Sequence, residues 1–151
     1  RFINISTATL RATIDGTAAS FQNAVILAQA TVTAKGLSRP SNNITGFGDG
    51  TVDVNTAGFP ADTASTSPAN NNTVTSTKCL NVWNGILQNP PTITTSAAAY
   101  STTVPQLYRA QYVNNANPLL RYCRYSYRHT PSPARRFDYY FNTGRVIVTN
   151  P

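Results

Sequence analysis

The chain contains no glutamate, no methionine and a single histidine, and only 11% of its residues are charged. Each absence removes a class of function. General acid–base catalysis draws on histidine and paired carboxylates, yet the acidic residues here are all aspartates, scattered along the chain. The lone His129 precedes Thr130-Pro131-Ser132-Pro133, a loop-forming run that brings no nucleophile or carboxylate beside it. No G-x-x-x-x-G-K-[ST] or G-x-G-x-x-G pattern is present to cradle a phosphate. The two cysteines lack C-x-x-C spacing and supply too few ligands for a metal site, and His129 lies among arginines that repel a cation. There is no apolar run of about 18 residues, so neither a membrane span nor a signal peptide is visible. The expectation is a protein that is not an enzyme and holds no cofactor.

What the chain does contain is size enough for one domain with a real core, and a surface rich in Thr, Ser, Asn and Ala. That composition is common in extracytoplasmic bacterial proteins. A first residue of Arg1, close to a helix, suggests a preceding segment removed by processing or by deliberate truncation. The simplest use of two cysteines is one disulfide, which requires an oxidising compartment; two buried free thiols are the alternative.

From Asn4 to about Lys35 the chain lacks proline, and Ile3, Leu10, Ile14, Ala18, Phe21, Val25, Ala28 and Val32 recur at helical spacing. Ser6 or Thr7 can cap the start, and Gly36 supplies a stop. Such a helix would run roughly 45 Å. Its outer positions are Thr, Ala, Ser and Gln, which fits either a helix covered by neighbouring subunits or one of merely low-charge composition. Residues 37–105 form a loop-rich region. It holds a turn cluster at Gly46-Phe47-Gly48-Asp49-Gly50, a short strand at Thr51–Asn55, and a polar stretch from Ser65 to Ser76 that reads as a flexible surface loop. A short helix follows near 79–87, with Leu80, Trp83 and Leu87 on one face, and it ends before Pro90-Pro91. Thr92 to Thr103 again reads as loop.

Residues 106–150 read as antiparallel strands with a terminal hairpin. In Gln106–Val113 the residues Tyr108, Ala110 and Tyr112 alternate with Leu107, Arg109 and Gln111. In the next strand Cys123, Tyr125 and Tyr127 share one face, opposite Tyr122, Arg124 and Ser126. Two β-prone runs then join through Asn142-Thr143-Gly144. Helix first and strands last argues for a single α+β domain over residues 1–151, with the helix of residues 1–36 packed on a small antiparallel sheet.

Four stretches resemble a known family, the type IV pilins and type II secretion pseudopilins, most closely pilins of the mannose-sensitive haemagglutinin (MSHA) type. Arg1-Phe2-Ile3-Asn4-Ile5 and the small-residue helix after it resemble the segment just past the hydrophobic half of the pilin helix. Gly50-Thr51-Val52-Asp53 with Gly58-Phe59-Pro60 resembles a stretch ending in Gly-Tyr-Pro. Cys79-Leu80 with Trp83 and Ile86-Leu87 is similar to the first-cysteine helix. Cys123-Arg124-Tyr125-Ser126-Tyr127, with Tyr140 and Thr143-Gly144-Arg145-Val146, is similar to the second-cysteine strand and closing hairpin. The apolar N-terminus that marks pilins is absent, and the resemblance implies it was cut away to leave a soluble headgroup. It further implies a Cys79–Cys123 disulfide and processing by a prepilin peptidase. Assembly with other pilin subunits by an ATPase-driven machine would follow, along with passage through the inner membrane and periplasm and a place in an extracellular filament, used for adhesion or as a secretion pseudopilus.

Three site readings accompany the resemblance. Arg121, Arg124, Arg128, Arg135 and Arg136, interleaved with tyrosine, could hold DNA phosphates while rings stack on bases; the bland reading is a solvated basic face or contacts to neighbouring subunits. Tyr122, Tyr139, Tyr140 or Trp83 could stack on a surface sugar, although such rings more often form core. Asp49 and Asp53, with Asn55, could offer oxygens to calcium, against the commoner role of such residues in turns.

Overall fold

The computed structural model describes residues 6–130 and 132–151. Arg1 to Ile5, which carry one stretch of the resemblance and the first position of the helical stripe, lie outside the described residues, as does Pro131.

The first helix, α1, spans Thr7–Ala34 and so runs about 42 Å at 1.5 Å per residue. The Ser6 hydroxyl accepts the Thr9 N–H at 3.1 Å, giving one of the free amides at the helix start a partner. The other end closes as a Schellman turn. Gly36 takes the left-handed φ of 62°, its N–H reaches the Thr33 carbonyl at 3.2 Å, and the Leu37 N–H reaches Val32 at 3.0 Å. Ile14, Ala18, Phe21, Val25, Ala28 and Val32 are buried, as their spacing predicts. Leu10 is only half-buried, because residues 7–13 extend past the packed core.

Beneath α1 lies a five-stranded sheet in the order β3 (Ile93–Thr94), β4 (Tyr108–Val113), β5 (Tyr122–Tyr127), β6 (Arg136–Tyr140) and β7 (Arg145–Thr149). All neighbours are antiparallel except β3 and β4, which are parallel. A two-stranded ribbon, β1 (Asp53–Val54) with β2 (Pro60–Asp62), and a second helix, α2 (Ser76–Ile86), complete the core layer. The fold is therefore α+β, with an N-terminal helix on an antiparallel-rich sheet.

Four local expectations change. Ile93–Thr94 is an edge strand and not loop, held where the Tyr108 N–H meets the Thr92 carbonyl at 3.0 Å. Ser65–Ser76 is not a loose loop. It contains a 3-10 turn at Pro68–Asn72, and the fully buried Asn71 amide reaches the Ser41 and Val54 carbonyls, both at 3.1 Å. The buried face of α2 is Cys79, Val82, Trp83 and Ile86, with Leu80 and Leu87 only partly covered, because Cys79 must face the sheet. The terminal hairpin turns through four residues, with Phe141 folded into the core. Gly144 is needed there: its φ is +73°, and a Cβ would run into the Phe59 ring.

The α1 helix also seals the sheet edge. The Gln22 amide donates to the Gly144 carbonyl at 3.1 Å and accepts the Val146 N–H at 3.0 Å, so a side chain occupies the place of a further strand beside β7. Asn150 donates to the Arg11 carbonyl and to Asp15, tying the last strand to the same helix.

Candidate functional site

The strand period of two divides the sheet into an inner face against the helices and an outer face away from them. On the inner face, Phe21 of α1 meets Tyr125, Phe137 and Tyr139 with ring centroids 5.1, 5.4 and 5.1 Å apart, and Trp83 of α2 stacks beside them. Cys79 on α2 is bonded to Cys123 on β5, the central strand, with a Cα–Cα separation of 5.6 Å. The two-thiol alternative is thereby removed, since no free cysteine remains. The Tyr125 hydroxyl donates to the Cys79 carbonyl and the Tyr139 hydroxyl to the Pro60 carbonyl, each at 2.7 Å. Burial holds both phenols well above their ordinary range.

Trp83 and Tyr139 are fully buried, so neither can stack on a sugar. Their positions face the core, and the indole N–H is already committed to the Pro91 carbonyl at 2.9 Å. Tyr122 and Tyr140 lie on the outer face, half-buried and packed on one another at 5.0 Å, with Arg124 over the first ring and Arg145 over the second.

Asp49 and Asp53 serve different turns. Asp49 is exposed and accepts the Thr51 hydroxyl and N–H, and those hydrogen bonds, the hydroxyl's first, lower its pKa. Asp53 is buried, with one oxygen on the Asn43 N–H and the other on the Ser65 N–H, both at 2.9 Å. Loss of solvation outweighs those two bonds and raises its pKa. Asn55 spends its oxygen on the Ala57 and Phe59 amides and its nitrogen on the Phe141 carbonyl. Among the described residues no group of three acidic, cysteine or histidine side chains could hold a metal ion.

The five candidate arginines divide. Arg121 bonds the Asn115 carbonyl at 2.9 Å. Arg124 forms a two-pronged pair with Asp138 at 2.9 and 3.1 Å, and that hydrogen-bonded carboxylate raises its pKa further. Arg128, Arg135 and Arg136 instead converge on one cleft of about 370 Å³. Arg109 joins them, from the same arginine-rich third of the sequence but outside the five candidates. Its signal was present, because alternation in β4 turns it outward, but only the register places it beside Ser126, whose other neighbour is Arg136. Tyr100, from a segment read as loop, lines the same cleft and stacks on His129 with centroids 4.4 Å apart.

A helix on an antiparallel-rich sheet with one disulfide is compatible with a pilin-like fold. No protein-family model, curated protein or solved structure matches the chain.

Proposed function

We propose that this chain is the headgroup of a structural subunit in a bacterial surface filament of the type IV pilin kind, most like the MSHA type, with surface attachment as its use and no catalytic role. Its partners would be further copies of itself or related subunits, together with the machinery that assembles them. Its route would lead through the inner membrane and periplasm, where a disulfide can form.

The observation that carries the reading is the outer side of α1. Between Asp15 and Lys35 the helix has no charged residue, and Ile26 and Leu27 are 55% and 59% exposed. Thr13, Thr17, Thr31 and Thr33 turn their hydroxyls back onto carbonyls one turn earlier, at 2.8 to 3.0 Å. With few unsatisfied donors and no charge, that surface costs little to take out of water. It suits a helix packed beside copies of itself.

The test is Leu27→Glu in the full-length protein within its own bacterium. The substitution should leave the melting temperature of the domain unchanged and remove the subunit from sheared surface filaments. Normal incorporation of both Leu27→Glu and Ile26→Glu would sink the proposal. Recovery of the unaltered chain in the periplasm, with none in sheared filaments, would favour a secretion pseudopilus over a pilus.

A further inference from the structure

The outer-face cleft has the features of an anion receptor. Three strands bring Arg109, Ser126 and Arg136 into one row: Arg109 is paired in register with Ser126, and Ser126 with Arg136. The short serine leaves a gap between two guanidinium groups. The Nε atoms of Arg109 and Arg136 are buried without a hydrogen-bond partner among the described residues. The same holds for Nε of Arg135, whose residue is only 5% exposed while its Nη1 is anchored on Asn150 and the Pro151 carbonyl. No carboxylate lines the cleft. Water or protein normally satisfies such donors, and a buried unpaired charged group is costly. Arg109 and Arg136, on either side of Ser126 with no carboxylate between them, mark a place for an acceptor of negative charge.

The walls are also built. Arg128 donates to the Gln106 and Ala98 carbonyls, which fastens the segment carrying Tyr100 over the cleft, and His129 packs against that ring. A volume of about 370 Å³ exceeds what one tetrahedral anion needs and falls within the range of small-ligand sites.

We propose that this cleft binds a tetrahedral oxyanion monoester, phosphate or sulfate, carried on a group the size of a sugar, with the anion between Arg109 and Arg136 and the ring beside Tyr100. The proposal is independent of the filament reading.

Calorimetric titration of the intact domain tests it, with glucose 6-phosphate, glucose 6-sulfate, uncharged glucose and a short single-stranded oligonucleotide as probes. Saturable one-to-one binding of either monoester, absent with glucose, is expected, and the tighter of the two identifies the source of the anion. Arg109→Gln and Arg136→Gln should each weaken it about tenfold or more, as loss of a charged hydrogen bond does. Arg145→Gln, which removes the same charge outside the cleft, should leave it unchanged. Ser126→Asp guards against a mere folding defect. It places a carboxylate in the gap, so it should abolish binding while the melting temperature holds or rises. No saturable monoester binding would overturn the proposal. So would equal binding of glucose, or oligonucleotide binding weakened as much by Arg145→Gln as by Arg136→Gln, which would mark a diffuse basic surface.

Discussion

On the inner face of the sheet, Tyr125, Tyr139 and Trp83 each place their one polar hydrogen on a backbone carbonyl. On the outer face and its rim, Arg109, Arg135 and Arg136 leave buried Nε donors unpaired among the described residues. Both faces carry large side chains with polar tips, so composition does not separate them. The completeness of pairing does. A satisfied face specifies the fold, whereas an unsatisfied one has capacity left for something that is not part of this chain.

The largest effect should come from breaking the inner face at its centre. Phe21 is fully buried and touches four aromatic rings from α2, β5 and β6, so Phe21→Ala removes their common neighbour. The cost should be about 3–5 kcal/mol, read from the shift of a urea unfolding curve. A loss below about 1 kcal/mol would mean that the rings repack without it.

Next comes the bridge that fastens α2 to β5. Its sequence separation of 44 corresponds to about 4 kcal/mol in the chain-entropy picture, and measured losses run about 2–4 kcal/mol. Cys123→Ser should lower the melting temperature of the domain. Identical melting of the unaltered protein with and without reductant would deny the bridge any energetic role.

Alkali should act on the same face. Burial pushes the Tyr108 hydroxyl from its ordinary 10 up to about 12, and Tyr125 and Tyr139 are displaced in the same direction. Unfolded tyrosines then lose their protons first, so the unfolded chain binds fewer protons and stability falls as pH rises. The Tyr108 contribution is complete below pH 10 and is lost as pH approaches about 12, a change of about 2–3 kcal/mol. Tyrosinate absorbance from buried rings should therefore grow together with loss of helical circular dichroism. Ionisation of all eight tyrosines near pH 10 with the fold intact would contradict that coupling.

Periodicity is informative where it is long and one-sided. Over α1 it picks out the buried stripe from Ile14 to Val32, because a helix of 28 residues samples its period many times. Over the 11 residues of α2 it places Trp83 in the core but brings Leu80 and Leu87 with it, where the buried face takes Cys79 and Ile86, one residue to the side. Apolar residues occur on both sides of that short helix, and the bond to Cys123 decides between them. The two residues of β3 carry no period at all. Asn71 was hidden for a different reason: a buried amide that stands in for backbone partners looks like loop composition to any hydropathy reading. The cleft was half legible. Alternation set Arg109 and Ser126 each on the face of its strand opposite the tyrosine and cysteine stripe, but their meeting with Arg136 depends on register across loops whose lengths the pattern does not constrain.

The smallest effect sharpens the contrast from the outer side. Arg124 and Asp138 form the ion pair among the described residues, with side chains 27% and 11% exposed. Breaking a fully buried pair costs about 3–5 kcal/mol because a charge is stranded, whereas an exposed one is worth about 1 kcal/mol or less. Here Arg124 keeps the Tyr122 hydroxyl at 3.1 Å and a path to water. Asp138→Asn should therefore lie near the exposed limit, about 1 kcal/mol by urea midpoint. A loss of about 3 kcal/mol or more would mean that the outer face is as closed as the inner one, and that the unpaired arginines on that face are not held ready for a ligand.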